Sequence, residues 1–307
     1  MRAGRKTADT NGAISGRRKV IMIGKGSSLF LALAIGVTAP AAWGQSSISA
    51  CPYTITTSGS YVVTRNLNSV GTCIAIQADN VAIDLQGHKI TGNGTGFGIT
   101  DGRVNENIVI ANGTIEKFSG GIEVNLSYPV TITGVTAQQN ARRGVELFGA
   151  TVVRSKIDNN GAFGIRINGD VLSLIVDSEV NGNGTSIAFP DEHNGIETLS
   201  GPTVVINSEA NSNAATGIAL SVIGGILTPG NQVIETQANG NGGNGIDLSA
   251  EAGNSVTAST ALRNGGAWIL LACPGAAASN TAKLNGSGNL VEVPGSAPCA
   301  NVDNTAP

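Results

Sequence analysis

From residue 73 onward the chain repeats a short pattern of apolar and variable positions. A glycine is followed by a β-branched residue, a variable residue and a second apolar residue. The pattern stands as Gly121-Ile122-Glu123-Val124, Gly144-Val145-Glu146-Leu147, Gly164-Ile165-Arg166-Ile167, Gly195-Ile196-Glu197-Thr198, Gly217-Ile218-Ala219-Leu220 and Gly245-Ile246-Asp247-Leu248. Looser copies are Cys73-Ile74-Ala75-Ile76, Gly98-Ile99-Thr100 and Trp268-Ile269-Leu270-Leu271. Successive β-branched residues are separated by 25, 23, 23, 20, 31, 22, 28 and 23 positions. A near-constant step with loop-sized excursions marks a solenoid. Alternation along each triplet puts Ile122 and Val124 on one face and Glu123 on the other.

A second β-rich segment lies between triplets, as in Val81-Ala82-Ile83, Ile108-Val109-Ile110, Val130-Thr131-Ile132, Leu174-Ile175-Val176 and Val204-Val205-Ile206. A third, shorter piece follows it, for example Gly113-Thr114-Ile115 or Ser155-Lys156-Ile157. Each repeat is therefore predicted as three short strands joined by turns, with no room for a helix. Asn140, Asn160, Asn213, Asn241 and Asn264 each stand five residues ahead of the leading residue of a triplet. Asn accepts left-handed backbone and bonds its own turn, and amides stacked on successive rungs can hydrogen-bond in a ladder. A leucine-rich repeat would need leucines where this core has Ile and Val, and a left-handed β-helix keeps a stricter step. The expected fold is all-β, a right-handed parallel β-helix of about nine rungs.

The first 44 residues differ in kind. They hold seven basic residues and one acid, then an apolar run from Leu29 to Val37, then Ala42-Trp43-Gly44. Such a sequence describes a secretory signal peptide, and Arg17-Arg18 hints at twin-arginine export. The run is short for a membrane span, so no integral membrane segment is expected in the mature chain. The division read from these features is a signal peptide over 1–44, an N-terminal cap and first rung over 45–76, the β-helix over 77–272, and a C-terminal cap and tail over 273–307. The expected address is periplasmic, extracellular or cell-surface.

Cysteine usage agrees. All four cysteines lie beyond the leader, and an even count in an exported chain reads as disulfides. Proximity favours Cys51–Cys73 and Cys273–Cys299, one at each end of the stack, where an open rung needs covering. Aromatic residues make up only 4% of the chain while glycine contributes 43 residues. Stacked Ile, Val and Leu supply a core without rings. Charge narrows the partners. Eleven of the 18 basic and 20 of the 21 acidic residues lie beyond the leader, a balance near −9. No polybasic patch is present to neutralise phosphates, which argues against nucleic acid. An anionic polysaccharide would need a bridging divalent cation.

Residues 51 to about 272 resemble the secreted right-handed parallel β-helix proteins, the group that includes the pectate-lyase-like folds. The most telling stretch is Asn80-Val81-Ala82-Ile83-Asp84-Leu85-Gln86-Gly87-His88-Lys89-Ile90-Thr91-Gly92, which is similar to the opening rungs of many such proteins. In that setting His88 is expected to be structural. The fold hosts lyases, hydrolases, epimerases and adhesins, so the resemblance implies an architecture and leaves chemistry to the site.

The variable residues of the triplets form a predicted outward stripe: Glu123, Glu146, Arg166, Glu197, Ala219 and Asp247. Rungs lie ~4.8 Å apart, so Glu123 and Glu146 should share a proton, recruit a cation or lean on Arg166. Insertions near 185–192, carrying Asp191, Glu192 and His193, and near 224–230 are placed to wall a groove over the stripe. The resemblance implies a substrate cleft on such a face. Catalytic candidates are therefore Glu123, Glu146, Arg166, Glu197 and Asp247, with Asp191, Glu192 and His193 as substrate contacts. Three uses stay open. Arg166 could abstract a proton beside a uronate carboxylate, with Ca²⁺ held by Glu146, Glu197 or Asp191. Two carboxylates could act in glycoside hydrolysis. The stripe could bind a carbohydrate polymer, or serve only as a surface ion-pair ladder of a non-catalytic adhesion or structural module. Trp268, Tyr53, Tyr61 and Tyr128 all lie off the stripe. Residues 242–247 look like a calcium nonapeptide, but Ser249 stands where that pattern requires a large apolar residue.

Overall fold

The structure, a computed structural model, describes residues 44–189, 193–220, 230–293, 295 and 297–305. The chain divides into Met1–Ala41 and Ala42–Pro307, and the described residues belong to the second unit. The signal-peptide reading, Gly44 aside, lies outside them, as do Asp191 and Glu192.

The triplets stack as predicted. Eleven short strands, from Tyr53–Ile55 to Leu290–Val293, pair in parallel to form the first sheet. Their register places Ile74, Ile99, Ile122, Val145, Ile165, Ile196, Ile218, Ile246 and Ile269 directly over one another. Every one of these side chains is fully buried. At ~1.5–3 kcal/mol for each buried aliphatic side chain, this column and its counterparts on the facing strands drive the winding. The whole is a parallel β-helix of about ten turns, with no helix among the described residues.

The second sheet faces the first, and its inward column runs Ile83, Ile110, Ile132, Val152, Ile175, Val205, Val233, Val256 and Ala277. The third piece of each repeat is not always a separate strand. In Ile108–Glu116 and Val130–Gln138 it continues the second segment as one nine-residue strand. Further on it narrows to short strands and single bridges, such as Glu179 with Glu209. Its inward residues are Ile115, Ala137, Ile157 and Val180, and then only alanines at Ala210, Ala238, Ala261 and Ala282.

The amide ladder is present and longer than predicted. Asn140, Asn160, Asn183, Asn213, Asn241, Asn264 and Asn285 are linked rung to rung, each Nδ2 donating to the next Oδ1 at 2.9–3.2 Å. The left-handed backbone does not belong to these asparagines. It falls on the residue before, at Gln139, Asn159, Gly182, Ser212, Gly240, Arg263 and Leu284, with φ between 54° and 65°. The ladder asparagine instead satisfies buried amides and carbonyls above and below it. A ladder also explains the glycine that opens each triplet. A Cβ on Gly144 would lie 2.7 Å from Asn160 Nδ2 and 2.6 Å from the Gly164 carbonyl. Asparagine and glycine are one device seen from two sides of a turn.

Disulfides close both ends, Cys51–Cys73 and Cys273–Cys299. Such bonds persist in oxidising compartments. Among the described residues no helix is long and apolar enough to cross a membrane.

Candidate functional site

Four of the predicted stripe residues come together on the outward face of the first sheet. Glu123 pairs in register with Glu146, Glu146 with Arg166, and Arg166 with Glu197. Ala219 and Asp247 continue the column. Asp247 is engaged locally: its carboxylate accepts from Asn244 Nδ2 at 3.0 Å and from the Ser249 hydroxyl at 2.6 Å. It ties its own loop rather than joining the Glu–Arg group.

The repulsion expected between Glu123 and Glu146 is relieved by a residue outside the stripe. Arg143 stands two positions before Val145, and its Nη1 lies 2.6 Å from Glu123 and 2.5 Å from Glu146. Arg166 turns the other way, giving Nε and Nη2 to one oxygen of Glu197 at 3.0 and 2.9 Å. Asn168 Nδ2 donates to the second oxygen of Glu146 at 3.0 Å. Phe163 underlies the network: the Arg166 guanidinium sits 4.0 Å above its ring centre, and Arg143 lies 5.8 Å from it. The charged side chains are only 8–19% exposed, well below a typical surface pair.

Electrostatics separate the carboxyls. Burial pushes Glu123 above the ordinary carboxylate range; Arg143 pulls it down, while Glu146 and Asp101 push it further up. Burial also raises Asp101, against hydrogen bonds from the Ser127 hydroxyl and the Leu126 amide. Arg143 supplies the positive charge that a bridging cation would otherwise bring to Glu123 and Glu146.

The loop over residues 185–189 borders this face. Phe189 takes the Arg142 guanidinium at 4.9 Å, and His193 Nε2 bonds the Ser186 carbonyl at 2.9 Å across the loop base. His193 therefore braces the loop. Among the described residues the one cluster of three potential metal ligands is Cys273, Glu292 and Cys299. Its sulfurs form the terminal disulfide, so it offers no thiolates.

Sequence reasoning missed Arg143, Phe163 and Asn168. The first two occupy a second outward column two residues ahead of each triplet's leading residue, which also holds Phe97, Asn194, Thr216 and Asn244. The signal was available, because that offset is as regular as the triplet itself.

Comparison with known proteins agrees with the architecture. The model of the family described as right handed beta helix region matches residues 54–198. No curated protein matches significantly. Among solved structures, the Dettilon tailspike protein superposes with a TM-score of 0.60 at 16% identity, covering 81% of this chain and 61% of that one. A mutant of the periplasmic alginate epimerase AlgG gives 0.58 at 12% identity, covering 83% and 78%. Pectate lyase Pel9A gives 0.43 at 15%, covering 82% and 68%. The chain thus spans about three fifths of the tailspike's length. Identities this low establish a fold. The chain has the right-handed parallel β-helix fold.

Proposed function

We propose that this chain is an exported protein that binds a polysaccharide along the outward face of the first sheet and cleaves it by glycoside hydrolysis. The observation that carries the reading is the Glu123–Arg143–Glu146 arrangement. Glu123 is driven toward its protonated form by burial, the state a general acid needs. Glu146 is paired to Arg143 and bonded by Asn168, and is the partner carboxylate. Their oxygens share one guanidinium nitrogen at 2.6 and 2.5 Å, which keeps the two carboxyls near the ~5–5.5 Å of retaining hydrolases. Arg166 and Glu197 then hold substrate further along the face. His193, at the base of the bordering loop, is a further substrate contact, the role that the sequence also gives to Asp191 and Glu192. Lyase or epimerase chemistry would use Arg166 as the base, and Arg166 is engaged by Glu197, which makes that route the poorer fit. Export is supported by the two disulfides and the leader-like first 44 residues. The alginate epimerase AlgG, which by its name acts on a polysaccharide, shares this fold, which supports the substrate class.

A second reading, a non-catalytic glycan-binding module, is favoured by one observation: both carboxylates point at Arg143. Purified mature chain incubated with neutral glycans and polyuronates, with and without Ca²⁺, separates the readings. Hydrolysis predicts reducing-end release that disappears in Glu123→Gln and Glu146→Gln at unchanged Tm. Binding without release supports the module. Unsaturated products dependent on Arg166 would transfer the site to lyase chemistry, and neither binding nor release would remove the polysaccharide role.

A further inference from the structure

The turn that follows each first-sheet strand carries an exposed apolar residue on successive rungs. Val104, Leu126, Tyr128, Phe148 and Leu172 are 72, 47, 43, 37 and 63% exposed. They run along the edge of the charged column: Phe148 pairs in register with Asn168, which itself bonds Glu146. Two of them are rings laid on glycines of the next rung. A Cβ on Gly149 would meet Tyr128 ring atoms at 3.1 and 3.3 Å, and one on Gly169 would meet three Phe148 ring atoms at 3.0 Å. Both glycines have positive φ, 64° and 122°, so the backbone itself keeps these seats free of side chains. Each ring has one side against backbone and is partly open to solvent.

We propose that Tyr128 and Phe148 form an aromatic ledge on which the pyranose rings of a neutral glycan stack, with the glycan running parallel to the helix axis. The inference rests on the glycan-binding reading of the adjoining column and specifies its substrate. Rungs rise ~4.8 Å, close to the length of one pyranose in an extended chain, so neighbouring sugars meet neighbouring rings. Sugar C–H faces match aromatic faces, whereas hydroxyls need polar partners beside them. Asn168, in register with Phe148, is the polar side chain beside the ledge. Charge selects against a polyanion. Within the column Glu123, Glu146 and Glu197 outnumber Arg143 and Arg166, and the chain beyond the leader is near −9. A polyuronate laid there would face net negative charge.

Calorimetric titration of the mature chain with cello-, xylo- and manno-oligosaccharides, and with oligouronates as charged controls, tests the ledge. Wild type should bind at least one neutral series. Tyr128→Ala and Phe148→Ala should each weaken binding about tenfold, while Tyr128→Phe keeps it. Phe148→Leu retains apolar cover over Gly169 without a flat face, so it should weaken binding as much as Phe148→Ala; this variant decides the matter if Phe148→Ala lowers Tm. Unchanged affinity in Tyr128→Ala and Phe148→Leu, with binding lost in Glu197→Gln, overturns the ledge and leaves the column as the site. Binding of oligouronates alone overturns the neutral substrate. Absence of any binding by wild type overturns both the ledge and the glycan-binding reading beneath it.

Discussion

Replacing Arg143 by methionine removes the charge between Glu123 and Glu146 while keeping a chain of similar reach. Two unit charges one rung apart, ~4.8 Å, repel by about 3–4 kcal/mol at an effective dielectric of 20. Glu146 is 6% exposed and its side chain cannot turn to water without moving the strand. The expected loss at neutral pH is therefore about 3 kcal/mol, in line with removing one partner of a buried pair, or ~6–12 °C in Tm for a domain of this size. The loss should depend on pH, and its sign follows from Glu123. Its folded pKa lies above the ordinary carboxylate range, so the folded state binds its proton more tightly than the unfolded state. Below the unfolded pKa both states are protonated and the repulsion is absent. As pH rises through the folded pKa, Glu123 ionises beside Glu146 and stability falls. Without Arg143 the folded pKa moves further up, widening that window. Urea midpoints measured from pH 4 to 8 for wild type, Arg143→Met and Arg143→Met/Glu146→Gln provide the assay. The double variant, having lost the repulsion, should recover most of the stability at pH 8. A pH-independent loss, or a double variant no better than the single, would refute the electrostatic account and leave only lost packing of the Arg143 stem.

Three further outcomes are expected. Asn160→Ala strips partners from the Asn140 amide and Nδ2 and from the Ala137 carbonyl; at ~1 kcal/mol or more for each orphaned group, it should cost about 3–4 kcal/mol and accelerate hydrogen exchange at Asn140. Gly144→Ala forces a Cβ to within 2.4 Å of Ile157 Cγ2 as well as onto the ladder, and should destabilise more than alanine at the outward Glu123, read by the same urea midpoints. Opening Cys273–Cys299 by Ser substitution at both positions releases a 26-residue separation and should cost ~3 kcal/mol, with proteolysis beginning in the last rung.

What the sequence reveals depends on which side of the strand a residue faces. Inward positions are governed by one requirement, filling a column between neighbours of the same kind, so Ile122, Val145 and Ile165 announce their register through spacing alone. The ladder asparagines are legible for the same reason, since each must meet its copies above and below. Asn183 escaped because the insertion after it moves the next triplet leader, Ile196, out of the five-residue offset, although the amide remains in line. Outward positions answer to no such constraint. The triplet alone sets Glu123 beside Glu146 and offers Arg166 as one of three ways to relieve them, yet Arg166 belongs to Glu197. Which way an arginine turns is decided by competing partners and by the ring beneath it, and Phe163 lies in a column that the triplet does not sample. Tyr128 and Phe148 follow their strands by four and one residues from Val124 and Leu147. They share an offset from the next strand instead, each two residues ahead of the paired Val130 and Ala150, a register that the triplet does not sample.

The charged column is poorly explained by stability. Lys156 and Glu179 form an ordinary surface pair, each about half exposed, of the kind worth ~0–1 kcal/mol. The pairs of Arg143 and Arg166 are far less exposed, and desolvation at that depth offsets their Coulomb attraction, so packed apolar groups would serve the fold as well or better. The same outward column shows that the scaffold accepts such groups, because Ala75, Ala219 and Leu270 occupy equivalent registers. Five ionisable side chains on four consecutive rungs are thus a cost that the winding of the helix does not demand. The glycan-binding role proposed above gives a reason for them. The apolar edge of Tyr128 and Phe148 along the same rungs points to that same surface.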